Sequence, residues 1–441
     1  MNACTANSAR CGAASWVARV RTGLALSVAA AVFTALLAPS SIALAQKDGQ
    51  RPPPETRKTN ALRKRPAEKL SAVQELIQAE KYNEALAGLR AMVDSESLTD
   101  YETAVVNQFF GYAYVSLEKY KDALKYFDKA ISAKMLAVSA ELNLMFTAAQ
   151  LYRATDELDK SIRTFEDWLA RTEEPTGSQL YQVASTYAQA ERFKQAISYA
   201  QKAVALSPTP EEGWLNLLAS VYLNERQFKN AIEPLEELVL RFPKLSYYKQ
   251  LAVAYSESKQ EKKALVAFEL AYRQGLMKEG RDLRRLAEQY LYHEVPYKAA
   301  LLLASEIDSG RVEKSEDNWY LLATAWFQSR ETEKAIAPMR RAAELAKSGK
   351  NYFQLGKILL DLERWQEAEE ALGKAVEKGG IDRSDVQLHI GIALFGRGQN
   401  AQARRTFDAL RSDKDFRERA QQWIRYIEDK ERAERAGSAA E

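Results

Sequence analysis

The stretch Asn107–Ile131, NQFFGYAYVSLEKYKDALKYFDKAI, contains the pattern that decides the fold of this chain. Phe110, Gly111 and Tyr114 are spaced as residues on one face of a helix, and Ala123 and Phe127 are spaced as residues on one face of a second helix. The spacing predicts two helices of about 13 to 15 residues each, joined by a short turn into an antiparallel hairpin. One hairpin leaves an apolar face exposed, so neighbours must stack on it to complete a core.

The small residue at the centre of this hairpin recurs in a similar context along most of the chain. An aromatic residue commonly lies three positions before it, and a core residue lies four positions after it. The steps between successive members range from 33 to 38 residues, which is typical of stacked helical hairpins. We count ten units over residues 70–411, whose small residues are Ala85, Ala123, Ser161, Ala196, Ala231, Ala264, Ala300, Ala335, Ala368 and Ala403.

Composition excludes several classes of function once residues 1–45 are set aside. The chain of 441 residues has 63 Lys and Arg against 60 Asp and Glu, and the excess consists of Arg10, Arg19 and Arg21. Both cysteines, Cys4 and Cys11, lie in the same segment. The remainder has no cysteine, which excludes a disulfide framework and a cysteine-based metal site. Its net charge is zero, which disfavours nucleic acid as a partner, since that binding needs a strong positive field.

Residues 1–45 have the three-part pattern of a secretory signal. The three arginines precede an apolar run, Leu24–Ala38; Pro39 ends the run, and Ala43-Leu44-Ala45 supplies the small residues of a cleavage site. The run is shorter than the roughly 20 residues that a membrane-spanning helix needs. We therefore predict cleavage after Ala45 and export to a bacterial periplasm, with a retained membrane anchor as the alternative.

A basic arm follows the signal and a polar tail ends the chain. Residues 46–69 contain eight basic and three acidic residues and the run Pro52-Pro53-Pro54, which favours an extended, unfolded leader. The arm is a solvated leader, or a strip that contacts anionic lipid or an acidic partner. After the repeats, apolar spacing predicts a capping helix over residues 412–430, and a polar tail over residues 431–441.

The repeat unit resembles the tetratricopeptide repeat (TPR), whose pattern is W-x2-L-G-x2-Y followed by A, F, A and P. The second unit matches it through Phe110, Gly111, Tyr114, Ala123 and Phe127. The fourth and fifth units also end in proline, at Pro208 and Pro243. The resemblance implies an all-α chain: a right-handed superhelical solenoid of about ten TPR-like hairpins with a C-terminal capping helix.

The same resemblance implies a concave groove for a peptide or a partner helix, lined by the first helix of each unit. The chaperone-binding TPR type has a lysine–asparagine clamp, but Gln108 with Tyr112, or Tyr181 with Ser185, occupies those positions here. The groove candidates carried over from the family pattern are Gln108, Tyr112, Phe146, Gln150, Tyr181, Ser185, Asn216, Ser220, Tyr320, Thr324, Phe353 and Lys357.

Residues that suggest an enzyme each have a simpler interpretation. His293 and His389 are far apart in the chain and make no metal site without further ligands. The acidic pairs at residues 173–174 and 211–212 suit the positive ends of helices. No phosphate-binding, nucleophile-elbow or dinucleotide motif occurs. We predict no catalytic residues, no cofactor and no enzyme activity.

Three further stretches resemble one particular family, the exported TPR proteins assigned to the TonB system of Gram-negative bacteria. They are residues 55–59 (ETRKT), residues 271–300 (from AYRQGL to YHEVPYKAA) and residues 420–428 (AQQWIRYIE). The resemblance implies a periplasmic binding protein whose partners are TonB or its proton-channel proteins. The alternative, which depends only on the groove, is a scaffold or chaperone for the assembly of outer-membrane and cell-envelope proteins.

Overall fold

The computed structural model describes residues 60–438; the predicted signal, most of the predicted arm and the last three residues lie outside this range. Every regular element of the described range is helical. The helices are α1 Lys64–Gln78, α2 Tyr82–Ser95, α3 Asp100–Ser116, α4 Tyr120–Ser132, α5 Val138–Ala154, α6 Leu158–Arg171, α7 Gly177–Gln189, α8 Phe193–Ala205, α9 Glu212–Asn224, α10 Phe228–Arg241, α11 Leu245–Glu257, α12 Glu261–Arg273, α13 Gly280–Tyr292, α14 Pro296–Asp308, α15 Glu316–Gln328, α16 Thr332–Leu345, α17 Lys350–Asp361, α18 Trp365–Lys378, α19 Arg383–Gly396, α20 Asn400–Ala409 and α21 Arg417–Ser438.

The helices pair into ten hairpins, from α1 with α2 to α19 with α20, and α21 follows them. The all-α prediction, the ten hairpins and the additional helix are therefore confirmed. The chain divides into two compact units after Pro243, so the first unit contains five hairpins and the second contains five hairpins with α21. The sequence pattern, which continues through residue 243, does not predict this division.

The small residue of each hairpin lies where its two helices approach most closely. Ala123 is completely buried, and a Cβ atom on Gly111 of the facing helix would lie 2.1 Å from the Phe127 ring. Gly391 lies in the same way against Phe407 of the tenth hairpin. Close packing of this kind leaves no room for a large side chain, which explains why the repeat has glycine, alanine or, at Ser161, serine at these positions.

In the seventh hairpin the equivalent small residue is Ala299, one position before the predicted Ala300. Helix α14 begins at Pro296, and the central small residue is the fourth of the second helix in every other hairpin, as Ala123 is in α4. Ala299 and Ala300 are both alanines and both completely buried, so neither residue type nor burial shows which one is the central small residue.

All ten hairpin turns have the same length and conformation. Each contains three residues, and the middle one has a φ between 55° and 75°. The next amide donates to a carbonyl five residues earlier, as Lys119 N does to Tyr114 O at 2.9 Å. This Schellman-type bond satisfies a carbonyl at the end of the first helix. The junctions between hairpins are more variable, from three residues at 242–244 to seven at 309–315.

A side-chain hydrogen bond links successive hairpins of the first unit. The tyrosine near the end of a hairpin's first helix donates to the second helix of the preceding hairpin. Tyr152 Oη donates to Asp128 Oδ2 at 2.6 Å, and Tyr187 Oη donates to Glu166 Oε1 at 2.5 Å. Each bond is accompanied by burial, and both effects raise the pKa of these two phenols. Stacking is therefore specified by polar contacts as well as by apolar area.

Two helices extend beyond the predicted bounds, one at the start of the repeat region and one at the end of the capping helix. Helix α1 begins at Lys64, inside the predicted arm, because Leu70 and Val73 are buried and Arg63 binds the buried Glu102 of α3 through a 2.6 Å ion pair. Helix α21 continues to Ser438, beyond the predicted start of the tail, and Arg404 of α20 pairs with Glu431 at 2.8 Å. Specific ion pairs thus extend the helices into polar sequence.

Candidate protein-binding surface

The twelve predicted groove residues all lie on first helices of hairpins. Eight are in the first unit, on α3, α5, α7 and α9, and four are in the second unit, on α15 and α17. Each pair is separated by four residues, so its members lie on one helix face. Ser185 is buried and Tyr320 is 41% exposed, while the other ten are half-buried. Most of these side chains are therefore partly accessible.

Ring contacts hold the aromatic members of this surface in the first unit. Phe146 lies edge-on to Phe165, with ring centres 5.3 Å apart, and 4.9 Å from Trp168. Tyr112 lies edge-on to Phe127 at 5.3 Å. Burial raises the pKa of Tyr112, and a long 3.5 Å hydrogen bond from Gln108 opposes that effect. Rings packed in this way lose little rotamer entropy when a partner binds.

Tyr181 lies at the centre of a second cluster in the first unit. Its ring stacks on Trp214 of α9, with centres 6.0 Å apart and planes 19° from parallel. Gly213 leaves space for its hydroxyl, since a Cβ there would lie 3.3 Å from Tyr181 Oη. Burial raises the pKa of Tyr181, whereas the nearby positive charge of Arg153 lowers it.

Arg153, which the sequence pattern did not single out, is the charged member of this cluster. It lies near the end of α5, is only 5% exposed, and donates from Nη2 to Gln182 Oε1 at 2.8 Å. Burial lowers its pKa to about 10. A signal was present: Arg153 directly follows the recurrent Tyr152, whereas uncharged residues such as Val115 and Ala188 occupy that position in the other hairpins.

The second unit has a more polar surface at the equivalent helices. A cavity of about 330 Å³ lies between α15 and α17 and is lined by Tyr320 and Phe353 together with acidic, basic and amide side chains. Asn351 donates to Glu316 Oε1 at 3.0 Å across it. Phe353 lies edge-on to His389 at 5.0 Å, and Lys357 Nζ lies 5.0 Å from the same ring centre. This surface therefore presents aromatic and charged groups side by side.

Within residues 60–438, no cluster of three or more His, Cys, Asp or Glu side chains could hold a metal ion. The helices of the same range are too short or too polar to cross a membrane.

Three protein-family models match parts of the chain. A tetratricopeptide repeat model matches residues 353–420, and one for subunit 3 of the anaphase-promoting complex (cyclosome) matches residues 293–375. A model for ChAPs, the Chs5p-Arf1p-binding proteins, matches residues 93–267. No curated protein matches the chain. With the hairpin geometry, these matches support the prediction that the chain carries tetratricopeptide-type repeats.

Several solved structures are also similar to this chain. MamA protein is 18% identical over 39% of this chain and 91% of its own, with a TM-score of 0.34. YrrB, a TPR protein with an unusual peptide-binding site, is 19% identical over 41% of this chain and 88% of its own, with a TM-score of 0.34. A tetratricopeptide repeat protein from Parabacteroides merdae ATCC 43184 is 13% identical over 67% of this chain and 99% of its own, with a TM-score of 0.33.

Proposed function

We propose that this protein is a scaffold that binds an extended segment or a helix of a partner protein along the first helices of its hairpins. The observation that supports this most directly is the surface of half-buried aromatic and amide side chains on α3, α5, α7 and α9, held by ring contacts from neighbouring helices. Such a surface offers apolar contact area together with hydrogen-bonding groups, which is what a bound polypeptide needs.

The proposal also includes a cellular location and a transport system. The signal pattern of residues 1–45 supports a periplasmic location. The three family-like stretches support a role as an accessory component of TonB-dependent transport. Two of these stretches lie in described structure: residues 271–300 run from the end of α12 through α13 into the first turn of α14, and residues 420–428 lie in α21. The partners in this proposal are TonB or its proton-channel proteins.

The test is capture of partners from the periplasm by cross-linking to the tagged full-length chain. We expect TonB or its proton-channel proteins among the captured proteins. The double variant Tyr320→Ala, Phe353→Ala should reduce that capture. A control double variant, Leu240→Ala with Leu345→Ala, removes two exposed apolar side chains from second helices and should not. Capture of neither TonB nor a channel protein would reject the proposed system.

Deletion of the gene separates this proposal from a role in envelope assembly. Loss of uptake through TonB-dependent receptors alone supports the transport role. Envelope defects in media where such uptake is dispensable would reject it in favour of an assembly scaffold. A partner captured through the first helices in either case supports the general scaffold function.

A further inference from the structure

The described chain contains five charged side chains that are buried: Glu102, Glu141, Arg153, Asp282 and Glu306. Four of them have an oppositely charged partner. Arg63 lies 2.6 Å from Glu102, Arg171 lies 2.7 Å from Glu141, Lys249 lies 2.7 Å from Asp282, and Arg311 donates to Glu306 at 2.6 Å. Arg153 is therefore the exception.

The surroundings of Arg153 provide one neutral acceptor and no carboxylate. Its Nη2 donates to the Gln182 amide oxygen, while Nε and Nη1 are buried and have no hydrogen-bond partner within residues 60–438. Besides the Gln182 amide, the group within residues 60–438 that favours its charged form is the Tyr181 phenol, which is far weaker than a carboxylate would be. A buried cation without a counter-ion is costly, and most buried charges are paired for that reason.

We infer that Arg153 is a recognition point for a carboxylate that the partner protein supplies. The inference rests on the proposed function and makes it more specific, since it names a chemical group on the bound segment. The parallel N–H donors of a guanidinium come in two pairs, Nε with Nη2 and Nη1 with Nη2, and such a pair matches the two oxygens of a carboxylate. A carboxylate that displaces Gln182 from Nη2 can therefore bind Nη2 together with the unpaired Nε or Nη1. The Tyr181 ring, stacked on Trp214, gives this site a rigid apolar wall.

The local charge favours a carboxylate over a phosphate group. A carboxylate carries one negative charge, which a single arginine balances. A phosphate monoester carries about −1.5 to −2 at neutral pH. The acidic Glu211 also acts on Tyr181, where it raises the pKa of the phenol. A site with one cation and a nearby acid therefore suits a singly charged ligand.

Both edges are covered in this structure, because Nε and Nη1 lack solvent contact and Nη2 is bonded to Gln182. Half-buried Tyr181 and Gln182 lie on α7, directly beside the arginine. Because both side chains are half-buried, we expect their rotation to expose an edge of the guanidinium. The ligand therefore replaces the Gln182 contact and supplies the missing charge in the same step.

The experiment uses arrays of synthetic 12-residue peptides with blocked ends and varied sequence. Each peptide is made in three forms, with glutamate, glutamine or phosphoserine at the same positions. The purified full-length chain should bind the glutamate forms about tenfold more tightly than the glutamine forms, the size of one charge-assisted contact. Arg153→Met should bind both forms equally.

Two further variants keep the test interpretable. Arg163→Met makes the same change at an exposed arginine of α6 and should retain the full preference. Arg153→Lys retains the charge in a similar volume, but an ammonium cannot form two parallel bonds, so most of the preference should be lost.

Equal binding of glutamate and glutamine forms by the unmodified chain would overturn the inference. So would a preference that persists in Arg153→Met, tighter binding of phosphoserine forms, or binding to none of the peptides. Each of these results leaves the capture of periplasmic partners as a separate test of the proposed function.

Discussion

The two ends of helix α5 contain buried charges in opposite states. Glu141, in the first turn, is 1% exposed and accepts a 2.7 Å hydrogen bond from Arg171 of the same hairpin. Arg153, in the last turn, is 5% exposed and has only the amide of Gln182 as an acceptor. The first charge is part of the hairpin, whereas the second lacks the group that would balance it. Burial alone therefore does not tell a structural charge from one that awaits a ligand.

The largest expected effect comes from breaking the compensated end of α5. Arg171→Met removes the cation from buried Glu141 and should lower the free energy of unfolding by about 3–5 kcal/mol. Urea denaturation followed by circular dichroism measures the change. The matched control is Arg163→Met, at an exposed position of α6, the helix that contains Arg171. Its free energy of unfolding should stay within about 0.5 kcal/mol of the unmodified protein. Equal losses in the two variants would contradict the comparison.

The stability of the protein should depend on pH through a second compensated charge, that of Glu102. The hydrogen bond from Arg63, followed by backbone bonds, lowers the pKa of Glu102 from 4.5 to about 2. Because the folded pKa is depressed, the carboxylate stabilises the protein above pH 4.5, and this contribution is lost as pH falls towards 2. Denaturation midpoints should therefore fall as the pH is lowered from 4.5 towards 2. In Arg63→Gln the slope should be shallower, and an unchanged slope would contradict the assignment.

The comparison also depends on the repeat register, which places Arg153 where other hairpins have uncharged residues. Ala123→Leu should overpack the second hairpin against Gly111 and Phe127 and lower stability by about 1–3 kcal/mol. Ala401→Leu makes the same change at an exposed position of α20 and should have little effect. Calorimetry compares the two melting temperatures. Identical values would mean that the register is wrong.

The smallest effect on stability is expected at the uncompensated end of α5. Arg153→Met replaces an unpaired buried charge with an apolar side chain of similar length, which should leave the free energy of unfolding within about 1 kcal/mol or increase it. The same urea titration applies. A loss as large as that of Arg171→Met would show that Arg153 has an internal structural role.

Much of this fold is predictable because the repeat carries the same information ten times. Ala123, Gly111 and Phe127 identify one hairpin, and recurrence at steps of 33 to 38 residues identifies the rest. The ends are harder, since α1 and α21 extend into polar sequence where pairs such as Arg63 with Glu102 hold them. Nothing in spacing or composition indicates such long-range pairs.

The candidate site is only partly predictable for a related reason. The family pattern selects Tyr181 by its position, but it treats every unit alike. Arg153 stands out only when the units are compared with one another, and its burial depends on Tyr181 and Gln182 of the next hairpin. Side chains that depart from a repeat are therefore the ones that the repeat pattern cannot interpret.

The uniform hairpin turns have a practical consequence for protein engineering. Each three-residue turn fixes a left-handed residue and a Schellman-type bond, whereas the junctions between hairpins already range from three to seven residues. Peptide tags, fluorophore-labelling sequences or whole reporter domains should therefore be inserted between the exposed Pro208 and Thr209 of the six-residue junction 206–211. The same insert at residues 117–119 would separate two helices that must remain in register.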